Sequence, residues 1–469
     1  MSVMLMIRFA LAPSCPSAGR NRRGMSSSER LRQWYAVILI CAGCGVALAT
    51  NTMVRADESP LTLAQAQRLA TLRSKQIEGS DFGVSAAKEM AVAAGQRPDP
   101  VATLGVENLP IDGSERFSVQ RDFMTMRSVG LMQEITRPSK LRARAQRSEE
   151  SVRLAETKKA QTLAAVQRNS ALAWLDRYYA EAMEKAVLDQ VRLAQLQVTA
   201  TEAEYRGGRG TASEVLAARG ATAQLEDLAA DASREVRSSK IALTRWVGEA
   251  ADWPLAGQPL IDTVPLHSHA LESQLAEHPD ILAFERREAL ARADVAVARA
   301  NRHPDWSVDF KYSQRGIGYS NMVTLEFSVP LEIDRAHRQD PDLAAKLAEA
   351  SQARADREDM LREHTAEVGA MLEEWNTARE RRDRYRTSII PLAADRTTAA
   401  RAAYRGGKAT LSEVLLAQRD EIDARLKALQ IEAGAARLWA ELTFLSPAPS
   451  TADAADPPVS ANLEHGELP

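Results

Sequence analysis

Tyr205-Arg206-Gly207-Gly208-Arg209-Gly210-Thr211-Ala212-Ser213-Glu214-Val215-Leu216 occurs a second time as Tyr404-Arg405-Gly406-Gly407-Lys408-Ala409-Thr410-Leu411-Ser412-Glu413-Val414-Leu415. The offset is 404 − 205 = 199 residues. The copies differ only where Arg209, Gly210 and Ala212 stand against Lys408, Ala409 and Leu411. Solenoid repeats have periods of about 20–50 residues, so this spacing marks duplication of a domain-sized unit. Each copy lies between two long helical patterns. Paired glycines permit a chain reversal, and Thr or Ser after them can cap the returning helix. Both copies therefore read as tips of helical hairpins.

The flanking sequence sets the scale of those hairpins. No proline or glycine interrupts Lys140 to Arg206, a run of 206 − 140 + 1 = 67 residues. As one helix it would extend roughly 100 Å, whereas an average helix has about 11–12 residues. Pro138 is placed to open it. The return helix is expected to reach Trp246, and residues 248–269 link the halves. The second half is expected to have Asp340-Pro341 as cap and start, Pro391 as an internal kink, and a last helix from Thr410 to about Leu445. Upstream, residues 60–95 and 270–301 each read as helical, the first capped by Thr62.

Between each leading helix and long helix the period changes to two. Ala102, Leu104 and Val106 alternate with polar or small residues, as do Val129, Leu131 and Ile135. The second half repeats this with Trp306, Val308, Phe310 and Tyr312, then Val323, Leu325, Phe327 and Val329. Two strand pairs are expected, near the ~9–11 residues that a tilted membrane strand needs. Four strands cannot close a barrel, and open edges are not tolerated in lipid. Strands of this kind that cross a membrane must be pooled from several chains.

Residues 1–56 read as an export segment. Arg20, Arg22, Arg23, Arg30 and Arg32 precede the apolar run Trp34 to Val46, and Ala47-Leu48-Ala49 resembles a cleavage site. The signal is complete when read from Met25. Cys41-Ala42-Gly43-Cys44 resembles a lipoprotein box, with Cys44 as the lipidation candidate, although Cys41 stands where Leu is usual. The other cysteine is Cys15, so a chain cleaved after the signal has no thiol to cross-link. Residues 447–469 read as a disordered tail with four acids and no Lys or Arg. A net charge of −3 gives no field that favours nucleic acid.

With both halves laid out as helix, two strands, long helix, glycine turn and helix, the chain resembles the TolC-like outer-membrane efflux proteins. The resemblance covers about residues 60–446, as a first repeat at 57–247 and a second at 270–446. Val323-Thr324-Leu325-Glu326-Phe327-Ser328-Val329-Pro330-Leu331 resembles the family's strand followed by Pro-Leu. The implied fold is mostly α with membrane β: tandem-duplicated long hairpins plus four strands per protomer, in a trimeric α-barrel/β-barrel channel. The resemblance implies a homotrimer in outer-membrane lipid that reaches into the periplasm. It would work with a periplasmic adaptor protein and a proton-driven inner-membrane pump, most like the heavy-metal efflux type. It implies adaptor contact at the tips, through Tyr205, Arg206, Gly207, Gly208, Arg209, Thr211 and Ser213 and through Tyr404, Arg405, Gly406, Gly407, Lys408, Thr410 and Ser412. Glu214 and Glu413 are aperture candidates; the second acid that the family can show three residues on is Leu416 here.

Each reading has a plainer counterpart. Turn glycines need no partner, and an acid in a first helical turn favours the helix dipole. No P-loop, G-x-S-x-G, H-E-x-x-H or partnered C-x-x-C is present, so no catalytic constellation or cofactor is expected. The histidines His267, His269, His278, His303, His337, His364 and His465 are read as surface residues, and no metal site is expected. Met124 and Met126 read as packing residues. A periplasmic adaptor or pore-free coiled-coil scaffold is the alternative class, though a scaffold would not need the strand pairs.

Overall fold

The computed structural model describes residues 60–266 and 270–447. The expected export segment with Cys44, the residues His267, His269 and His465, and the tail from 448 onward lie outside the described residues.

The chain begins with α1 (Leu63–Arg73) and α2 (Lys75–Ala94). Thr62 caps α1 reciprocally: its Oγ1 accepts the Gln65 N–H at 3.3 Å, and Gln65 Oε1 accepts the Thr62 N–H at 2.9 Å. The single helix expected over 60–95 is thus two. Ser74 adopts extended backbone and its hydroxyl accepts the Ile77 N–H, so a residue inside the periodic pattern ends one helix and caps the next.

Strands β1 (Val101–Glu107) and β2 (Met126–Ile135) follow, then α3 (Pro138–Arg206), 69 residues long with proline in its first turn. Across the first tip, α4 (Ala212–Val247) returns, and Gly248–Asp252 forms a short 3₁₀ turn. The second half begins with α5 (Leu271–Leu275) and α6 (Pro279–Asn301), so the helix expected over 270–301 is also broken, ahead of Pro279. Strands β3 (Trp306–Gln314) and β4 (Met322–Ser328) lead through the 3₁₀ turn Arg335–His337 to α7 (Gln339–Arg384).

Asp340 does not cap α7. Arg338 holds the N-cap position without a side-chain cap bond, and Asp340 lies in the first turn, where it pairs with Arg302 at 2.9 Å. The kink expected at Pro391 takes a specific form. Tyr385–Ile389 is a π turn, with the Ile390 N–H bonded to the Tyr385 carbonyl five residues back. Proline has no N–H for the carbonyl four residues before it and clashes with that group; the wider turn just upstream accommodates both. The path resumes as α8 (Ile390–Arg405) and, past the second tip, α9 (Leu411–Thr443).

The long helices pack side by side: α3 against α4, α6, α2 and α9, and α9 against α7 and α8. Alanines at 164, 171, 173 and 180 in α3 and at 218 and 229 in α4 are buried, which lets helix axes approach closely. The main core lies at mid-length. Trp174, Leu175, Leu243, Leu275, Val368, Leu372 and Trp375 meet there with Leu61 and Ile261; each large side chain buried contributes about 1.5–3 kcal/mol. The segment joining the halves is fastened to this core. Leu61 bridges Leu255, Trp174 Nε1 donates to the Leu61 carbonyl at 3.0 Å, and Trp439 Nε1 donates to the Thr263 carbonyl at 2.9 Å. Arg177, buried, donates to the Ala251 and Trp253 carbonyls at 2.6 and 3.0 Å.

The four strands form one antiparallel sheet in chain order, β1-β2-β3-β4. The β2–β3 ladder, from Arg127 opposite Gln314 to Ile135 opposite Trp306, joins the two halves. Register puts Leu104, Val129, Tyr312 and Val323 in one row and Ala102, Leu131, Phe310 and Leu325 in the next, all on one face. Thr103, Ser128, Asp309, Lys311, Thr324 and Glu326 occupy the other face. The apolar face is exposed: Leu104 is 84% accessible and Phe327 64%. The edges β1 and β4 pair with no further strand among the described residues.

Candidate functional site

The two hairpin tips share one backbone design. In the first, the Arg209 N–H bonds the Glu204 carbonyl at 2.9 Å and the Gly208 N–H bonds the Tyr205 carbonyl at 3.0 Å. In the second, the Lys408 N–H bonds the Ala403 carbonyl at 2.8 Å and the Gly407 N–H bonds the Tyr404 carbonyl at 3.0 Å. This is the Schellman ending, which needs one left-handed residue. Gly208 and Gly407 supply it with φ of 72° and 68°. Gly207 and Gly406 precede them with negative φ, so one glycine of each pair is required by conformation.

The rest of the repeated motif starts the return helix. Thr211 Oγ1 accepts the Glu214 N–H at 3.2 Å while Glu214 Oε2 accepts the Thr211 N–H at 2.8 Å. Thr410 and Glu413 repeat the pair at 3.3 and 3.2 Å. These reciprocal caps account for the recurrence of Thr and Glu at that spacing. Both aperture candidates therefore have a structural task, with carboxylates turned back toward the turn. Val215 and Val414 are buried behind the caps, which accounts for the recurrent Val. Ser213 and Ser412 are exposed and cap nothing.

Tyrosine is where the copies part. Tyr404 donates its phenolic hydrogen to Glu204 Oε2 at 2.9 Å, tying the second tip to the first. Burial, reinforced by the Glu204 hydrogen bond and the Glu204 and Glu214 charges, pushes the phenol pKa up to about 12, so it stays a donor at neutral pH. Tyr205 is 50% accessible. The residue equivalent to Glu204 is Ala403, so no reciprocal bond can form. Leu411 is buried where Ala212 is exposed, which makes the second tip the more deeply packed one. Arg206, Arg209, Arg405 and Lys408 are exposed and form no ion pair among the described residues. The tips together present four cations on a surface cross-linked from within.

Sequence reading missed Glu204, because it lies one residue outside the repeat and has no acidic counterpart. It also misplaced two histidines. His278 is 3% accessible and His364 is nearly buried, with their rings 4.7 Å apart. They are 86 residues apart in the chain, beyond any local spacing rule. Met126 lies in β2, and Met124 lies exposed in the loop before it. No helix among the described residues is long and apolar enough to cross a membrane.

Residues 270–446 match the model of the outer membrane efflux protein family. Solved structures share the fold over most of their length. A membrane protein from Pseudomonas aeruginosa superposes with a TM-score of 0.71 at 18% identity, over 82% of this chain and 89% of its own. CusC, described with transmembrane channel formation, gives 0.70 at 17% identity, over 82% and 92%. The CmeC outer membrane channel of Campylobacter jejuni gives 0.69 at 15% identity, over 84% and 88%. No curated protein sequence matches the chain. The fold is the mostly helical, four-stranded architecture of these channel structures.

Proposed function

We propose that this protein is the outer-membrane channel of a tripartite efflux system, a passive conduit rather than an enzyme. The observation that carries the reading is the sheet: a single layer with two open edges, its bulky apolar face exposed and its polar face opposite, on helical hairpins roughly 100 Å long. In water such a face would be covered by a second layer. In lipid it is the outer wall of a barrel, and the polar face lines an aqueous lumen. Closure needs further copies, and the resemblance to the outer membrane efflux family implies three, which pool twelve strands in a homotrimer. The match of residues 270–446 to the outer membrane efflux family supports the same assignment.

The hairpins then reach into the periplasm, and the tips Tyr205–Ser213 and Tyr404–Ser412 contact an adaptor protein coupled to a proton-driven inner-membrane pump. Heavy-metal cations are the assigned cargo, with organic compounds as the competing class; Glu214 and Glu413, tripled by symmetry, would favour cations near the narrow end. The test is fractionation followed by planar-bilayer conductance. A trimer in the outer membrane that conducts supports the channel, whereas a soluble, non-conducting protein overturns it in favour of a pore-free scaffold. Charge reversal at Arg209 and Lys408 separates docking from insertion: efflux should fall while membrane assembly stays normal. Sensitivity of a deletion strain to organic toxicants alone would overturn the metal cargo.

A further inference from the structure

Away from the tips, a half-buried polar cluster lies at the start of α6, which packs against both α3 and α7. His278 is the N-cap residue of α6, and its Nδ1 accepts the Asp280 N–H at 3.1 Å. His364, from α7, lies against it with the rings 4.7 Å apart and tilted 45°. Asp280 is held from α3, where Gln161 Nε2 donates to its Oδ1 at 2.6 Å. One ring nitrogen from each histidine and one Asp280 carboxylate oxygen lie within 4.8 Å of one another.

Two details point to a ligand. First, His278 Nε2 and His364 Nε2 are both buried with no hydrogen-bond partner. An unsatisfied buried polar atom costs about 1–3 kcal/mol, and here two of them are neighbours. Second, each Nδ1 lies beside a carboxylate, with Asp280 Oδ2 3.7 Å from His278 Nδ1 and Glu367 Oε2 3.7 Å from His364 Nδ1. Imidazoles that hold a metal through one nitrogen usually donate the other N–H to such a group. We propose that His278 and His364 bind a divalent transition-metal ion of the Zn²⁺ class through their Nε2 atoms, with Asp280 orienting the His278 ring.

Ligation through Nε2 moves the His278 proton to Nδ1, which gives up the Asp280 N–H and donates instead toward the Asp280 carboxylate 3.7 Å away, and ends the isolation of both Nε2 atoms. Zn–N bonds of about 2.0–2.1 Å place tetrahedral ligand atoms about 3.4 Å apart, a separation within reach of rings whose centroids are 4.7 Å apart. Solvent molecules would complete the coordination. The ion would tie the N-terminus of α6 to α7 and, through Asp280 and Gln161, to α3. Such a site is a fixed brace within one protomer, distinct from cargo passing through a lumen.

The test uses the full chain in detergent, stripped of metal and titrated with Zn²⁺. A single ion should bind per chain, the thermal midpoint should rise with the logarithm of Zn²⁺ concentration, and Co²⁺ should give a visible ligand-field band. Affinity should fall about tenfold or more in His364→Gln and in His278→Asn, where asparagine retains an N-cap acceptor. If His278→Asn fails to fold, His364→Gln decides alone, because His364 caps no helix. A His267→Ala/His269→Ala control should bind as the parent does. Absence of stoichiometric Zn²⁺, or undiminished binding in His364→Gln, overturns the site. None of these readouts depends on transport.

Discussion

Tyr404 and Glu204 are joined by a 2.9 Å hydrogen bond across the two hairpin tips, although they are 200 residues apart in the chain. The bond is one-sided, because the duplicated positions are Tyr205 and Ala403. Among the described residues it is a side-chain hydrogen bond that links the two tips without a reciprocal. Tyr404→Phe removes it without changing shape, and a hydrogen bond to a charged acceptor contributes about 1.5–3 kcal/mol before allowance for its partly exposed setting. Backbone hydrogen exchange should quicken at both turns, and the resting conductance of reconstituted protein should rise. Unchanged exchange at both turns would show that the tips are held by packing alone.

The same bond predicts a pH dependence. The phenol pKa is raised above its ordinary value of about 10 to about 12. A group whose pKa is raised on folding contributes stability that is complete below the unfolded value and lost as pH climbs through the folded one. The phenol should remain a donor up to about pH 9, and the contact should weaken only above about 10. In a phenolate absorbance titration, the difference between parent and Tyr404→Phe should be a late-titrating tyrosine; ordinary titration of every tyrosine would contradict the contact.

Gly208 and Gly407 offer a test of turn chemistry. A Cβ at either position meets nothing within 4 Å, so alanine would suffer only the left-handed conformational penalty, about 1–2 kcal/mol. Gly208→Ala and Gly407→Ala should lower the thermal midpoint, and asparagine should lower it less. Gly220→Ala, inside α4 with open space around it, should raise the midpoint, by the equivalent of about 0.5–1 kcal/mol. Equal effects at all three positions would refute the conformational account.

Glutamine separates the two roles of Glu214 and Glu413. It retains the reciprocal cap but carries no charge. A Glu214→Gln/Glu413→Gln protein should melt as the parent does yet show a reduced cation-to-anion permeability ratio. Thr211→Ala should do the reverse, costing about 0.5–2 kcal/mol with selectivity intact. Selectivity unmoved by the double glutamine change would leave the cap as the whole role of these acids.

Asp305 secures the base of the sheet. It accepts from Lys140 Nζ at 2.6 Å and from the Arg137 N–H at 3.0 Å, tying the start of α3 to the first strand of the second half. Both side chains are largely buried. Asp305→Ala leaves Lys140 buried without its partner, which typically costs about 3–5 kcal/mol. The melting temperature should fall sharply, and Lys140→Met/Asp305→Leu should recover much of the loss. Failure of the paired change to recover would point to the Arg137 contact instead.

What the sequence determined by itself is whatever local chemistry decides. Periodicity of 3.6 or 2 located the helices and strands. Lack of proline and glycine gave α3 its length. The motif placed Thr211 and Glu214 three residues apart, where a reciprocal cap forms from neighbouring backbone alone. The errors were local as well: Ser74 and His278 each cap a helix within a stretch that still looks periodic, and Asp340 lies two residues past the N-cap position that Arg338 holds. The partners of the Tyr404 phenol, the His278 ring and the Asp305 carboxylate lay beyond such reading. Those partners are 200, 86 and 165 residues away, and only the packing of α3 against α6 and α9 and of α6 against α7, with the β2–β3 ladder, brings them together. Side-chain pairing across a duplicated fold depends on how the copies have diverged, as Ala403 opposite Glu204 shows, and a repeat read along the chain is blind to which of its two members finds a neighbour.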